Sequence, residues 1–261
     1  IIIALKKIGI TGGSGLLGSL LIKELKKRNI LFSSFDGDIA NKIHVTEWLV
    51  KNKFIEYIFH FAAYTSVDKS EKNRKKAYKI NVVGVENLIN SICNNKKKII
   101  FFFASTSHVY KFSKKKIKEN TKLAPKSYYG KTKLLAENKI RRTKNENFNY
   151  FIARIFSVFH IKQKKPFLYP SIKDKLKSTK SKKIYVKNAN NIRDFLNAEK
   201  IVKIIFKVYK KKLIGTYNIG SGKGIAIKDF IKKNINKNIN VASNVKTNSL
   251  VANINKLKKA L

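Results

Sequence analysis

Short apolar stretches alternate along this chain with longer segments in which apolar residues recur every three or four positions. Lys7 to Thr11 predicts a strand, and Ser19 to Lys27 a helix with Leu20, Leu21 and Leu25 on its apolar side. Ile30 to Phe35 reads as a second strand, Val45 to Lys53 as a helix and Ile55 to Ala62 as a third strand. Lys75 to Asn94 keeps a helical period through Ile80, Val83, Leu88 and Ile92. Lys98 to Ala104 is apolar on both faces, so it needs cover on both, as a strand of a parallel sheet between helix layers has. Tyr128 to Arg142 predicts another helix and Asn149 to Phe156 another strand. Strands and helices alternate throughout, which predicts an α/β fold with a doubly wound parallel sheet.

After Phe159 the rhythm weakens. Residues 160–192 hold two of the three prolines and read as the start of a smaller, irregular unit. Arg193 to Tyr209 is again helical in pattern, and Thr216 to Gly220 reads as a strand rejoining the main sheet. Residues 223–261 are rich in Lys and Asn and poorly patterned. The expected organisation is therefore a nucleotide-binding part over 1–159 and a substrate part over 160–261, with about 193–222 returning to the main sheet.

A net charge of +43 raises the question of nucleic acid. The lysines are spread along the whole chain, however, and only six of the 58 basic residues are arginine, the side chain best suited to forked phosphate contacts. Specific nucleic-acid binding is not expected. No apolar run approaches the ~20 residues that cross a bilayer. The apolar start Ile1 to Leu5 lacks a preceding basic segment and a following small-residue cleavage site, so no signal peptide is expected. Cys93 is the only cysteine, which excludes a disulfide within the chain and fits a cytoplasmic setting. No metal-ligand spacing is present.

Two motifs carry the chemistry. Gly9-Ile10-Thr11-Gly12-Gly13-Ser14-Gly15-Leu16-Leu17-Gly18 places Gly12, Gly15 and Gly18 between a predicted strand and a predicted helix. Such a turn lets backbone amides approach a pyrophosphate at a helix N-terminus. Asp36 follows about 20 residues later, where an acid binds the adenosine ribose, although a solvated loop aspartate fits equally. The second motif is Tyr129 and Lys133, four apart on one helical face. A nearby ammonium favours phenolate, so Lys133 is expected to draw the Tyr129 pKa down from ~10. Thr106, upstream, can share the proton path.

Together with their surroundings these motifs resemble the extended short-chain dehydrogenase/reductases of the NAD-dependent epimerase/dehydratase family. Thr11-Gly12-x-x-Gly15-x-x-Gly18 is similar to that family's cofactor turn, Gly37-Asp38-Ile39 to its Asp-Ile pair at the adenine, and His60-Phe61-Ala62-Ala63 to its H-x-A-A strand end. Ile80-Asn81-Val82-Val83-Gly84 resembles its N-x-x-G helix, Ser105 to Tyr110 its catalytic-hydroxyl strand, and Tyr129-x-x-x-Lys133 its catalytic pair. Arg193-Asp194-Phe195 and Tyr217 to Gly222 resemble its two downstream landmarks. The resemblance implies a Rossmann fold, NAD or NADP as cofactor, a nucleotide-sugar substrate and a homodimer. It implies a cofactor site on Gly12, Gly15, Leu16, Leu17, Gly18, Asp38, Ile39, Ala62, Ala63, Asn81, Tyr129 and Lys133. Thr106, Tyr129 and Lys133 are implied as catalytic, and Thr106, Ser157 and Arg193 as substrate contacts, Ser157 standing where epimerases often carry asparagine.

Other positions depart from the family pattern or leave alternatives open. His108, two residues past Thr106, is either a second acid/base on a continuing strand or a strand-end histidine. Arg193 either clamps the substrate diphosphate or forms a structural ion pair. The 4,6-dehydratases of this group carry Asp-Glu where this chain has Ser107 and His108, so dehydration is not expected. A short second strand and Ala63 to Glu71 resemble the dTDP-4-dehydrorhamnose reductase branch, whereas Arg193 to Phe195 resembles the epimerases. The expected activity is epimerisation by hydride transfer at the sugar C4. A nucleotide-sugar 4-ketoreductase and a non-catalytic dinucleotide-binding relative are the alternatives.

Overall fold

The computed structural model describes residues 7–95, 97–178, 183–186, 188–235, 240–242 and 247–261. The apolar start at Ile1 to Leu5 lies outside them, as do parts of the irregular segments expected at 160–192 and 223–261. The chain opens with β1 (Ile8–Thr11), α1 (Leu16–Lys27), β2 (Phe32–Phe35), α2 (Lys42–Lys51) and β3 (Tyr57–His60). Next come α3 (Val67–Lys72), α4 (Arg74–Tyr78), a π-helical turn at Lys79–Val83, and α5 (Gly84–Cys93). β4 (Ile99–Thr106), α6 (Tyr128–Arg142) and β5 (Phe148–Ile155) complete the first part. Downstream lie β6 (Ser157–Phe159), α7 (Leu168–Lys177), β7 (Lys183–Tyr185), β8 (Ile192–Arg193), β9 (Phe195–Asn197), α8 (Ala198–Lys210) and β10 (Gly215–Ile219). The chain closes with β11 (Ile225–Ala226), α9 (Ile227–Asn234), β12 (Asn240–Ala242), β13 (Ser249–Leu250) and α10 (Asn255–Ala260).

Six strands form one sheet in the order β2-β1-β3-β4-β5-β10, and every pairing in it is parallel. This is the doubly wound arrangement that the alternation predicts. The aromatic run of β4 explains the layering. Phe101 and Phe103 point into one core with Val85, Leu88 and Ile140, while Phe102 points into the other with Leu21, Ile201 and Ile205. All three phenylalanines are fully buried. Each buried side chain of this size contributes roughly 1.5–3 kcal/mol, so the central strand anchors both helix layers. β10 lies at the sheet edge beside β5. No helix among the described residues is long and apolar enough to cross a membrane.

Three local expectations fail for identifiable reasons. The helix expected over Lys75 to Asn94 is interrupted by the π turn, because Asn81 turns inward. Its amide donates to the Tyr64 carbonyl at 3.2 Å and to Thr132 Oγ1 at 3.0 Å, and its Oδ1 accepts from the Tyr64 amide at 2.7 Å. The helix expected from Arg193 begins only at Ala198, where the Asn197 side chain caps the Glu199 amide. Arg193 belongs instead to β8, between β11 and β13. The stretch beyond residue 223 holds five short elements whose partners are remote in sequence, a pairing that local periodicity cannot show.

Candidate active site

The strands β1, β3, β4 and β5 all end at one edge of the sheet, and the segments that follow them wall a cleft of about 1080 Å³. It opens at the point where the chain, having left β1 for β2, returns to β3 on the other side. That is the position at which doubly wound sheets bind nucleotides.

The glycine turn forms one wall. Gly12 has φ +72, and a Cβ there would lie 2.4 Å from the Ala62 amide nitrogen and 2.7 Å from the Phe61 carbonyl carbon. Glycine therefore lets the ends of β1 and β3 meet. A Cβ on Gly18 would fall 2.3 Å from the Gly12 carbonyl, so glycine also lets α1 sit on the turn. Gly15 differs. Its only close neighbour would be the Gly12 carbonyl at 3.3 Å, and its other sides open on the cleft. It caps α1 without a side-chain hydrogen bond, which leaves the first amides of the helix unsatisfied. Open amides, a positive helix end and no side chain in the way suit the diphosphate of a dinucleotide. Gly12, Gly15, Leu16, Leu17, Gly18, Ala62 and Ala63 all line the cleft.

Five of the residues expected on the cofactor, Asp36, Asp38, Ile39, Asn81 and Lys133, are not among those that line this cleft. Asp36 is exposed at the end of the edge strand β2 and is not in the cleft wall. Asp38 is exposed and caps its own turn, accepting from the Ala40 amide at 2.9 Å. Ile39 is buried in the core, packs against Gly84 and has its carbonyl bonded by Asn87. Asn81 is buried and spends its amide group on Tyr64 and Thr132, so it shapes the wall without reaching the cleft.

The chemistry converges at the other end. Thr106 is the last residue of β4, followed by a tight 3-10 turn at Ser107–Val109. α6 begins at Tyr128 under the cap of Ser127, and its Gly130 approaches the turn so closely that a Cβ would lie 2.5 Å from the His108 carbonyl. This approach seats Tyr129 beside Thr106. The phenol is pushed up to about 12 by burial, while a hydrogen bond from Thr106 acts the other way. Lys133 is buried, with its Nζ 3.9 Å from the centre of the Phe103 ring. Burial draws its ammonium down to about 7, opposed by Glu137. The expected lowering of Tyr129 by Lys133 is therefore corrected: burial and Thr106 act on the phenol, and burial weakens the charge of Lys133 as well.

His108 is not on a continuing strand, because β4 stops at Thr106. It opens on the cleft with its ring edge-on to Tyr129, at 5.9 Å between centroids. Surrounding protein and then Arg193 draw its imidazole down to about 4, which leaves it neutral at pH 7. Ser157 and Arg193 line the same cleft. Arg193 Nη1 donates to the Ile192 carbonyl at 2.8 Å, and the guanidinium forms no ion pair among the described residues.

Sequence reading missed what supports these groups. Asp194 is fully buried and accepts from the Ser221 amide and hydroxyl, the Gly222 amide and the Ala252 amide. It thereby ties the Gly220–Gly222 turn to the strand that presents Arg193. Glu137 and Arg154 pair beneath the site at 2.7 Å, both buried. The available signal was a glutamate four residues after Lys133 and a lone arginine in the apolar strand β5. Among the described residues no group of three His, Cys, Asp or Glu could hold a metal ion.

The family model for GDP-mannose 4,6-dehydratase matches residues 23–260. GDP-6-deoxy-D-talose 4-dehydrogenase of Aggregatibacter actinomycetemcomitans is 29% identical over 230 residues, covering 85% of this chain and 76% of that protein. UDP-glucose 4-epimerase of Mycoplasma genitalium is 28% identical over 274 residues, covering 87% and 81%. The crystal structure of UDP-glucose 4-epimerase from Thermus thermophilus, a complex with NAD, superposes with a TM-score of 0.82 over 97% of this chain and 92% of that one, at 19% identity, a likeness of fold. The glycine turn, the Thr106–Tyr129–Lys133 constellation and the match along most of the chain agree, and this protein belongs to the GDP-mannose 4,6-dehydratase family of nucleotide-sugar epimerases, dehydratases and reductases.

Proposed function

We propose that this protein is an NAD(P)-dependent nucleotide-sugar epimerase that works by hydride transfer at the sugar C4. The observation that carries this reading is that Thr106 and Tyr129 line one cleft together with the open glycine turn. Bound nicotinamide would supply the site that accepts and returns the hydride. Gly15 and the first amides of α1 would hold the cofactor's diphosphate, and Ala62 and Ala63 would flank it. Tyr129, as phenolate, takes the proton from the sugar hydroxyl and returns it later in the cycle, and Thr106 hydrogen bonds the same oxygen. Lys133, when protonated, favours the phenolate.

The wall composition supports the same reading. Among the described residues lining the cleft, Asp68 is the only carboxylate, against the cations Lys23, Lys162, Lys164 and Arg193. Cations suit a substrate diphosphate, with the fork of Arg193 best shaped for it. Dehydration needs a further acid and base next to Thr106, and the residues there are a buried serine and a neutral imidazole. We read residues 1–159 as the dinucleotide-binding part, and 160–192 with 223–261 as the part that holds the substrate.

The same hydroxyl pair serves a 4-ketoreductase, a reading favoured by the relative named as a 4-dehydrogenase. Retention of cofactor separates the two. An epimerase regenerates its cofactor each cycle, so the purified protein should release about one equivalent of NAD on denaturation and need none added. Protein that purifies empty, and oxidises added NADPH in proportion to product, is a reductase.

A further inference from the structure

Below the Thr106–Tyr129 pair lies a charged group that the reaction does not touch. Glu137, on α6 one turn beyond Lys133, is fully buried. Four donors hold its carboxylate. Ser105 Oγ donates at 2.5 Å, Arg154 donates through Nε at 3.1 Å and Nη2 at 2.7 Å, and Arg141 Nη1 donates at 2.7 Å. Arg154 is fixed in turn, its Nη1 donating to Tyr110 Oη and to the Glu119 carbonyl, both at 2.8 Å. Tyr110 donates to Asn218 of β10 at 2.7 Å. The network thus reaches from α6 through β4 and β5 to the edge of the sheet.

Its placement bears on the site in two ways. Ser105 precedes Thr106 on β4, and Glu137 follows Tyr129 and Lys133 on α6. The Ser105–Glu137 bond therefore fixes the relative position of the two elements that carry the reacting hydroxyls. The carboxylate also lies near the Lys133 ammonium, which it opposes burial in keeping protonated. The other groups facing this pair among the described residues are His60 from β3, Phe103 and Ser105 from β4, Arg154 from β5 and Arg141 from α6. His60 is buried and neutral, bonded through Nδ1 to Thr11 Oγ1 at 2.6 Å. Glu137 is thus the anion beside Lys133, and the two arginines set how much of its charge Lys133 feels.

We propose that Glu137 is a positioning residue, whose bond to Ser105 holds Thr106 in reach of Tyr129 and whose carboxylate stands one helical turn from Lys133. This rests on the proposed reaction for its consequence in turnover, but not for its effect on Lys133. The test is [ε-13C]lysine NMR of the full chain, with the Lys133 signal assigned by its loss in Lys133→Met. Glu137→Gln should lower the Lys133 midpoint by about one pH unit, because it removes an opposite charge one helical turn away. Arg141→Gln should raise it, since Arg141 neutralises part of Glu137 and is a quarter exposed, which keeps the variant foldable. A merely structural role does not move the midpoint in opposite directions. Ser105→Ala should leave the midpoint in place and lower kcat at least fivefold with KM little changed, and Glu137→Asp should restore the midpoint lost in Glu137→Gln. A Lys133 midpoint unmoved in Arg141→Gln, or in folded Glu137→Gln, overturns the electrostatic half, and unaltered turnover in Ser105→Ala overturns the positional half. A chain that turns over no nucleotide sugar yet shows the two opposite shifts refutes the proposed reaction and leaves the Glu137–Lys133 coupling standing.

Discussion

Two glycines of one turn should respond to the same substitution in opposite ways. Gly12→Ala forces a side chain into φ +72, which costs an L-residue about 1–2 kcal/mol. It also sets a methyl 2.4 Å from the Ala62 nitrogen and 2.7 Å from the Phe61 carbon, both backbone atoms that cannot swing aside. Overpacking of this kind costs a further ~1–3 kcal/mol. A total near 3 kcal/mol lowers Tm by roughly 6–12 °C in a chain of this size. Gly15 has φ −72 and ψ 169, which any residue adopts, and its nearest neighbour would be 3.3 Å away. The reduced freedom of the unfolded chain offsets much of the capping loss, so Gly15→Ala should change stability by less than about 1 kcal/mol. Its methyl would instead stand where a phosphate meets the first amides of α1. Loss of one charge-assisted hydrogen bond is worth about 1.5–3 kcal/mol, roughly a 10- to 150-fold rise in the Kd for NAD. Thermal melts and calorimetric titration with NAD measure both quantities. If Gly15→Ala binds NAD like the parent, or Gly12→Ala melts with it, the reading of the turn is wrong.

Other expectations concern the remaining residues of the cleft. Tyr129→Phe should lower kcat by about 10²–10⁴ and leave NAD affinity within about twofold, because only the phenol oxygen moves the proton; near-normal turnover contradicts its role. Arg193→Lys keeps the charge but loses the fork, so KM for the nucleotide sugar should rise about tenfold while NAD binding holds; an unchanged KM removes Arg193 from the substrate site. His60 and His108 are both held below the ordinary value of 6.5, His108 to about 4. In the unfolded chain they take up protons near pH 6.5, whereas in the fold they do so only at lower pH. Stability should therefore fall as pH drops below 6.5, chiefly through the buried His60. Urea melts that show equal or greater stability at pH 4.5 than at pH 7 refute this.

The sheet was legible because most of its strands are short apolar runs between helical periods, and the Phe101–Phe103 run demands cover on two faces. The glycine turn and the Tyr129–Lys133 spacing were legible for a similar reason, since both depend on neighbours close in sequence. The start of α8 was misread because Arg193 to Asn197 is apolar enough to extend a helical pattern, while the bonds that hold it extended come from residues 221–252. The π turn escaped for the same cause: the partners of Asn81 are Tyr64 and Thr132. That the Ile39 side chain packs on Gly84 in the core was not legible, because the two lie 45 residues apart. The pKa of Tyr129 was misjudged because sequence shows the nearby cation and not the burial that opposes it.

The most direct test of the proposed reaction is the product made from UDP-glucose, dTDP-glucose and GDP-mannose, each incubated with purified protein and read by NMR and mass spectrometry. One of the three should give its C4 epimer, equal in mass to the substrate, with no net change in absorbance at the reduced-nicotinamide band. A product lighter by one water, formed without net use of cofactor, contradicts the proposal and shows that Ser107 and His108 support dehydration after all.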